Sequence, residues 1–412
     1  MSGGQMGGDR PRRGRLSPLL AAAAVVVVVG ASAGIAVALS SHTSKAPSAG
    51  GGGIAASATS QPASDSSGPT QSASSVSSSV PVSSAAPVTN GPLVYSGLAP
   101  VALSAGSLAG GGNALYAFST DNLLEIDPSS GHTTHQAPSN GFPGQAPVIA
   151  GNKVWEVATY GGSVGLNGYT MATLAADGSI TVPVSGAGSG NPDGILTAGP
   201  DGNLYLAAGS AVDELNPSSG SVIRQFPVPG GTANSVAVSP DGSRIYVGVG
   251  GASYRIVELN RSTGAVVASG SEGANESGGA LLATSGGVWF TNNGRVWFAP
   301  ASDLSGARLI AGPAGGGDEA IPTYANGAVW VGGTKKLACL DPATGQVRAS
   351  FLVPTSEQAP GGIGDITSAA GHVFALYVDT RTAMAGQVTG VDVLSPSAAC
   401  TSGGTSSGGA GS

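Results

Sequence analysis

The chain has 412 residues, of which 9% are charged and 5% are aromatic, while glycine alone contributes 69. Its net charge is −7, and the residues after position 92 carry about twice as many acidic as basic side chains. An acidic chain without clusters of Arg and Lys lacks the positive surface that phosphate backbones require, so composition excludes nucleic acid as a partner.

The N-terminal residues predict a membrane anchor. Residues 1–15 are polar and rich in arginine, and they are followed at residues 16–39 by a nearly uncharged run of Leu, Ala, Val and Gly. About 20 apolar residues cross a bilayer as a helix, and arginines on the preceding side place the N-terminus in the cytoplasm. The alternative is a cleaved signal peptide and a secreted protein, because Ala31-Ser-Ala33 and Ala36-Val-Ala38 resemble cleavage sites.

Low-complexity segments flank the remaining sequence. Residues 40–91 consist mostly of Ser, Ala, Gly, Pro, Thr and Val, and residues 401–412 have a similar composition. Such segments bury too little apolar surface to offset the entropy of ordering them, so we expect a disordered linker and a disordered tail. The domain at residues 92–400 is then held outside the cell membrane by a single-pass tether.

An aromatic residue recurs in that domain every 39 to 50 residues, each time near the start of a short apolar run. The set is Tyr116, Trp155, Tyr205, Tyr246, Trp289, Trp330 and Phe374. This period is typical of the blades of a β-propeller, whose sheets stack around a common axis. We therefore predict an all-β, seven-bladed β-propeller of four-stranded blades, with these aromatics packed between blades.

Residues 235–268 show the predicted blade most clearly. Two Val- and Ile-rich strands flank a Pro-Asp-Gly turn, and a third strand leads into a second turn at Asn260–Gly264. Pro presets φ at the start of such turns, and Gly supplies the positive φ at their exit. The second turn recurs at Asp127–Gly131 and Asp341–Gly345, and in the second unit we predict a shorter form at Ala176–Gly178.

The last repeat lacks a fourth strand. Its predicted strands cover residues 366–369, 372–377 and 390–394, after which the chain becomes rich in Ser, Gly and Ala. The apolar run Pro92–Ser96 precedes the first complete repeat and can supply the missing outer strand. Pairing the two ends of the domain would remove an exposed sheet edge.

Several of these repeats resemble those of known bacterial propellers. Residues 236–248 resemble a YVTN-type repeat, and residues 194–206 with 214–220 resemble repeats of NHL and streptogramin-lyase-like propellers. In outline the repeats also resemble quinoprotein propellers, although the tryptophan-docking motif of that group is not evident. The resemblance implies the fold, but it implies little about function, because propellers include enzymes, sensors and scaffolds.

The loops that lead into the innermost strands carry acidic and amide side chains. They are Asp193, Asn234, Glu276, Asp318, Glu319 and Asp365. These loops converge on the central channel of a propeller, where oxygen ligands suit Ca²⁺ or a basic ligand group. The alternative is that the acids are solvated and too far apart to cooperate, and no other cofactor and no catalytic residue is predicted.

The chain has two cysteines, Cys339 and Cys400. Outside the cytoplasm an even pair is a candidate disulfide, which here would join two adjacent blades. Two separate thiols are the alternative.

The expected function is that of a membrane-tethered, monomeric binding or scaffold module whose partner is a protein, a peptide or a glycan. The alternative is a metal-dependent propeller enzyme, lyase- or lactonase-like, with its site at the channel. The resemblance to such enzymes implies histidines beside the carboxylates, and no His accompanies the acids here.

Overall fold

The computed structural model describes residues 96–97, 108–119, 121–139, 146–159, 162–184, 195–251, 253–271, 278–292, 295–310, 322–332, 336–352, 361–379, 390–394 and 400. All of them belong to one compact unit, residues 79–412. Apart from one short 3₁₀ helix and the helical residue Cys400, the regular structure in these residues consists of β-strands. The predicted anchor and linker lie outside them, and none of the described helices is long and apolar enough to span a bilayer.

Strand β1 (Ser96–Gly97) precedes six sheets, each formed by four consecutive antiparallel strands. Sheet 1 contains β2 (Leu108–Gly111), β3 (Ala114–Phe118), β4 (Asn122–Ile126) and β5 (Thr133–Pro138). Sheet 2 contains β6 (Val148–Ala150), β7 (Lys153–Thr159), β8 (Ser163–Thr170) and β9 (Ala176–Pro183). Sheet 3 contains β10 (Leu196–Ala198), β11 (Leu204–Ala208), β12 (Ala211–Leu215) and β13 (Val222–Pro227).

The next three sheets repeat this order. Sheet 4 contains β14 (Thr232–Val238), β15 (Arg244–Gly250), β16 (Arg255–Asn260) and β17 (Val266–Ser271). Sheet 5 contains β18 (Gly278–Thr284), β19 (Gly287–Asn292), β20 (Arg295–Pro300) and β21 (Arg308–Leu309), with the 3₁₀ helix at Leu304–Gly306 between its last two strands. Sheet 6 contains β22 (Thr323–Ala325), β23 (Ala328–Gly332), β24 (Lys336–Leu340) and β25 (Val347–Leu352).

Sheet 7 departs from the pattern of four consecutive strands. It contains β26 (Gly361–Ala369), β27 (His372–Asp379) and β28 (Gly390–Leu394), and β1 pairs with β28 as its outer strand. Ser96 pairs with Val393 and Gly97 with Asp392, so the paired segment lies at the C-terminal end of the predicted run, whose residues 92–95 are outside the described part. The chain thus forms six continuous blades, and its two ends together form the remaining sheet.

The innermost strands of the sheets make a closed ring, in which β2, β6, β10, β14, β18, β22 and β26 contact one another in turn and β26 contacts β2. Three hydrogen bonds among the described residues join the last sheet to the first: Leu108 N donates to Asp365 Oδ2 (2.9 Å), Gly110 N to Thr367 Oγ1 (2.8 Å) and Ala370 N to Gly112 O (3.1 Å). This arrangement is a β-propeller, as the repeat predicts, with six blades of four consecutive strands instead of the predicted seven.

The recurrent aromatics occupy one equivalent place, the middle of the second strand of each sheet. All seven are at most 2% exposed. Each belongs to a hydrophobic cluster that combines its own sheet with the following one; Tyr116, for example, packs with Val154 and Tyr169 of sheet 2, and Phe374 packs with Leu115 of sheet 1. The core of the domain is therefore divided into separate inter-sheet layers.

One predicted turn is wrong. In sheet 2, residues Ala176–Gly178 belong to β9, and the chain reverses earlier, between β8 and β9. The amide of Leu174 closes that turn by donating to Thr170 O, as the turn glycines Gly220 and Gly264 do in sheets 3 and 4. Leu174 has a φ of 52°, in the left-handed region that normally favours glycine. The Asp-Gly signal pointed to the wrong residues because the actual exit residue is a leucine.

A disulfide joins Cys339 and Cys400, with a Cα–Cα distance of 5.8 Å. Cys339 lies on β24, and Cys400 packs in the hydrophobic cluster between sheets 6 and 7. The bond therefore links the segment after the last strand to the preceding sheet.

Candidate functional site

Two of the six predicted channel residues lie in the described part of the chain. Asn234 is half-buried on β14, at a place where the pairing register with β15 shifts. Asp365 lies on β26 in sheet 7. Residues 193, 276, 318 and 319 lie outside the described residues, so the cation site stays a prediction. Among the described residues, no group of three or more His, Cys, Asp or Glu side chains is arranged to hold a metal ion.

Asp365 is buried where the last sheet meets the first. It is 4% exposed, and its two oxygens accept hydrogen bonds from the backbone amides of Leu108 and Ile366. Burial raises the pKa of this carboxyl to about 7, against the opposing effect of the two amides. These bonds tie the carboxyl to the first sheet, and its predicted part in a channel site stays a prediction.

A different site appears when the outer strands of the sheets are compared in register. In each sheet the recurrent aromatic pairs with a residue of the third strand, and that residue in turn corresponds to a position on the outer strand. The residue two positions further along the outer strand lies, in sheets 1 to 5, at the boundary with the next sheet. We call this the plug position, and its residues in sheets 1 to 5 are Ala137, Ile180, Phe226, Gly270 and Ile310. Ile180, Phe226 and Ile310 are buried. A large apolar plug is thus the usual filling of the boundary between two sheets.

Each described plug lies next to the turn of the following sheet. A Cβ added at Gly220 would meet Ile180, one at Gly264 would meet Phe226, and one at Gly345 would meet Ile310. Large plug and turn glycine are therefore complementary in shape. In sheet 4 the plug is Gly270, and the backbone of Leu304 fills its place, since a Cβ there would lie 2.3 Å from Leu304 O.

The boundary between sheets 1 and 2 reverses this arrangement. The plug is Ala137, and the turn residue opposite is Leu174. The Leu174 side chain is 2% exposed and packs in one cluster with Ala137, Phe118 and Tyr169. The Leu174 side chain, which comes from sheet 2, thus fills part of the space that a large plug of sheet 1 would occupy. Its left-handed backbone conformation costs a non-glycine residue about 1–2 kcal/mol.

This exchange leaves a cavity of about 780 Å³ between the outer strand of sheet 1 and the last two strands of sheet 2. We call it the 1–2 groove. Its lining is Gln136, Ala137, Pro138, Asn167, Gly168, Tyr169, Thr173, Leu174, Ala175, Ala176, Gly178 and Ser179. The volume is within the range of about 300–1,000 Å³ that small-molecule sites occupy.

A buried carboxylate organises the polar side of the groove. Glu156 is 1% exposed and accepts hydrogen bonds from Asn167 Nδ2 (2.9 Å), Tyr169 OH (2.8 Å) and Ser139 Oγ (2.5 Å). Burial, and secondly the bond to Glu156, raise the pKa of the Tyr169 phenol, which stays protonated as a donor. These bonds hold Asn167 and Tyr169 in fixed orientations on the groove wall.

The groove wall is electrically neutral, since no Asp, Glu, Lys, Arg or His is among its lining residues. Lys153 lies beside the lining residue Gly178, and its ammonium donates to Asp177 O (2.9 Å) and lies 3.2 Å from the Asp177 carboxylate. Its charge is therefore paired at the edge of the groove. The arrangement can bind an uncharged molecule through amide and hydroxyl groups, and it presents no ionised nucleophile or acid to one.

The chain matches no family model and no curated protein sequence. The assignment to the β-propellers therefore depends on strand order and ring closure, and the resemblance to YVTN and NHL repeats stays a prediction.

The recurrent aromatics led sequence reasoning to the packing between sheets, but the 1–2 groove escaped it. The sequence does contain a signal for it in the outer strands. When residues 133–138 are aligned with residues 222–227, the small residue Ala137 stands where the other strand has Phe226. Recognising it requires the strand register, which the misplaced turn in sheet 2 had obscured.

Proposed function

We propose that this protein is a binding module, held outside the cell membrane by its N-terminal segment, and that the 1–2 groove is its ligand site. The observation that carries this proposal is the reversed plug at Ala137 and Leu174. At other boundaries between sheets a large side chain fills this space, whereas here a groove is open. The groove wall carries polar groups that are held in place by Glu156. Sites of this form bind ligands through a few fixed polar groups beside apolar surface.

The frame around the groove suits recognition. Its walls come from β5, β8 and β9, and these strands belong to sheets fixed within a closed ring. Because little conformational freedom remains to be lost on binding, a rigid wall favours affinity. The stalk at residues 40–91 would let such a domain reach partners away from the lipid surface.

The test is capture of a partner by the full-length chain from its own membrane fraction, with three variants alongside. Ala137→Phe introduces the plug of sheet 3 into sheet 1, and Ser179→Phe fills the groove from the opposite wall. Ser269→Phe is the matched control, since Ser269 is exposed and occupies in sheet 4 the register position of Ser179 in sheet 2.

We expect the wild type and Ser269→Phe to retain the same partner, and both groove variants to lose it. Equal capture by all four proteins would show that the groove is not the binding site. The position of the chain is tested separately by protease treatment of intact cells, which should degrade the domain and leave the segment before residue 40 protected.

A further inference from the structure

We propose that the 1–2 groove binds an uncharged saccharide, so that the partner of this module is a glycan. This inference rests on the proposed function, because it names the ligand of the same site. It is drawn from the lining chemistry of the groove, its apolar floor and its fixed amide.

The hydrogen-bonding side chains that line the groove are all uncharged, and they include both donors and acceptors. Gln136 and Asn167 contribute amides, and Thr173 and Ser179 contribute hydroxyl groups. An amide offers donors and an acceptor side by side, and a hydroxyl is both donor and acceptor. A sugar hydroxyl is likewise both, so each of its oxygens can pair in two directions with such a wall.

Asn167 is already oriented for this purpose. Its Nδ2 donates to buried Glu156, which fixes the amide plane and directs Oδ1 away from that carboxylate. A fixed acceptor selects a ligand that brings a donor, such as a hydroxyl, and it disfavours carboxylate and phosphate oxygens.

The apolar part of the groove matches the C–H faces of a sugar ring. Pro138, Ala175 and Ala176 are exposed beside the polar groups. A pyranose has hydroxyl groups at its rim and C–H groups on its faces, so one face can cover apolar surface while the rim forms hydrogen bonds. Removing that surface from water adds favourable free energy without requiring charge.

An ionised ligand fits less well. No charged side chain lines the groove, and Lys153 at its edge is engaged by Asp177. Placing a carboxylate or phosphate beside a neutral wall costs hydration that the wall cannot replace. The composition agrees, since the net charge of −7 repels anions in general.

The experiment is saturation-transfer NMR on the full-length chain in a detergent without a sugar headgroup, followed by calorimetry for any sugar that binds. The neutral probes are maltose and N-acetylglucosamine, and the charged probe is glucose 6-phosphate. The proteins are the wild type, Ala137→Phe, Ser179→Phe and the matched control Ser269→Phe. Thermal melting establishes that each variant is folded.

We expect transfer to at least one neutral sugar in the wild type and in Ser269→Phe, with affinity at least about tenfold weaker in a folded groove variant. The inference is overturned if neither neutral sugar binds, if glucose 6-phosphate binds more tightly than both, or if filling the groove leaves sugar binding unchanged. Loss of partner capture in the groove variants without sugar binding would keep the proposed function and reject the saccharide.

Discussion

Substituting Ala137 by Phe and Leu174 by Gly should have effects on the free energy of unfolding that are coupled and not additive. The four proteins of the test are the wild type, Ala137→Phe, Leu174→Gly and the double variant, which carries the Phe-and-Gly arrangement that joins sheets 3 and 4 at Phe226 and Gly264. If plug and turn residue share one space, the double variant is more stable than the two single variants predict.

The magnitudes follow from the two environments. Leu174→Gly removes a side chain that is 2% exposed, and deletion of a buried leucine side chain typically costs about 2–5 kcal/mol. It also relieves the left-handed conformation at φ 52°, which returns about 1–2 kcal/mol. We therefore expect a net loss of about 0–4 kcal/mol.

Ala137→Phe places a ring beside Leu174, and overpacking of this kind costs about 1–3 kcal/mol when the neighbour cannot move away. In the double variant the glycine leaves room for the ring. The favourable coupling free energy should then be about 1–3 kcal/mol, the usual range for residues in contact.

Urea unfolding of the four proteins measures this coupling, provided that the slope of the transition is unchanged between them. Leu174→Gly combined with Phe226→Ala is the control pair, because the two side chains belong to different inter-sheet clusters and their effects should add. Additivity within about 0.5 kcal/mol for the Ala137 and Leu174 pair would refute the claim that they share one space.

Three further predictions concern the closure of the ring. Burial raises the pKa of Asp365 to about 7, above its value in the unfolded chain, so the folded state favours the protonated carboxyl. Protonation of Asp365 should therefore stabilise the fold fully below about pH 4, and this stabilisation should be lost as the pH rises to about 7. Unfolding measured across this range should show the decline in the wild type and a flatter profile in Asp365→Asn. Cys400→Ser should lower the free energy of unfolding by about 2–4 kcal/mol, with the same loss on reduction of the wild type. Gly110→Ala should destabilise strongly in a thermal melt because its Cβ would lie 1.9 Å from Ser368 O, whereas Gly162→Ala, with no atom within 4 Å, should be nearly neutral; equal melting temperatures would contradict the close approach of sheets 7 and 1.

The sequence predicts the architecture well because one physical requirement is repeated in it. A sheet with two apolar faces must be covered by its neighbours, so each repeat needs a bulky residue at the same place on its second strand. Trp289 and Trp330 mark that place as clearly as Tyr116 does, although their third-strand partners differ, being Phe298 and Cys339 instead of the Glu125 that Tyr116 pairs with. Such a periodic signal survives errors in any single turn.

The site depends on departures from the repeat, which the same reasoning does not detect. A leucine with positive φ at residue 174 contradicts the ordinary preference for glycine, so the sequence favours the Asp-Gly pair that begins three residues later as the turn. The bond between Asp365 and the Leu108 amide shows the same limit, since one residue of register on β26 decides which side of the strand a side chain occupies. These choices are made by packing across a boundary and leave little trace in the local sequence.

The division of the core explains how such a departure is tolerated. Each boundary between sheets has its own hydrophobic cluster, and the cluster at Ala137 shares no residue with the one that contains Phe226. A lost plug therefore weakens one layer and leaves the others unchanged, as expected when each repeat contacts only its neighbours. The ring remains closed elsewhere, at Asp365 and at the disulfide. A propeller can in this way open a groove at one boundary while the rest of the fold keeps its walls in place.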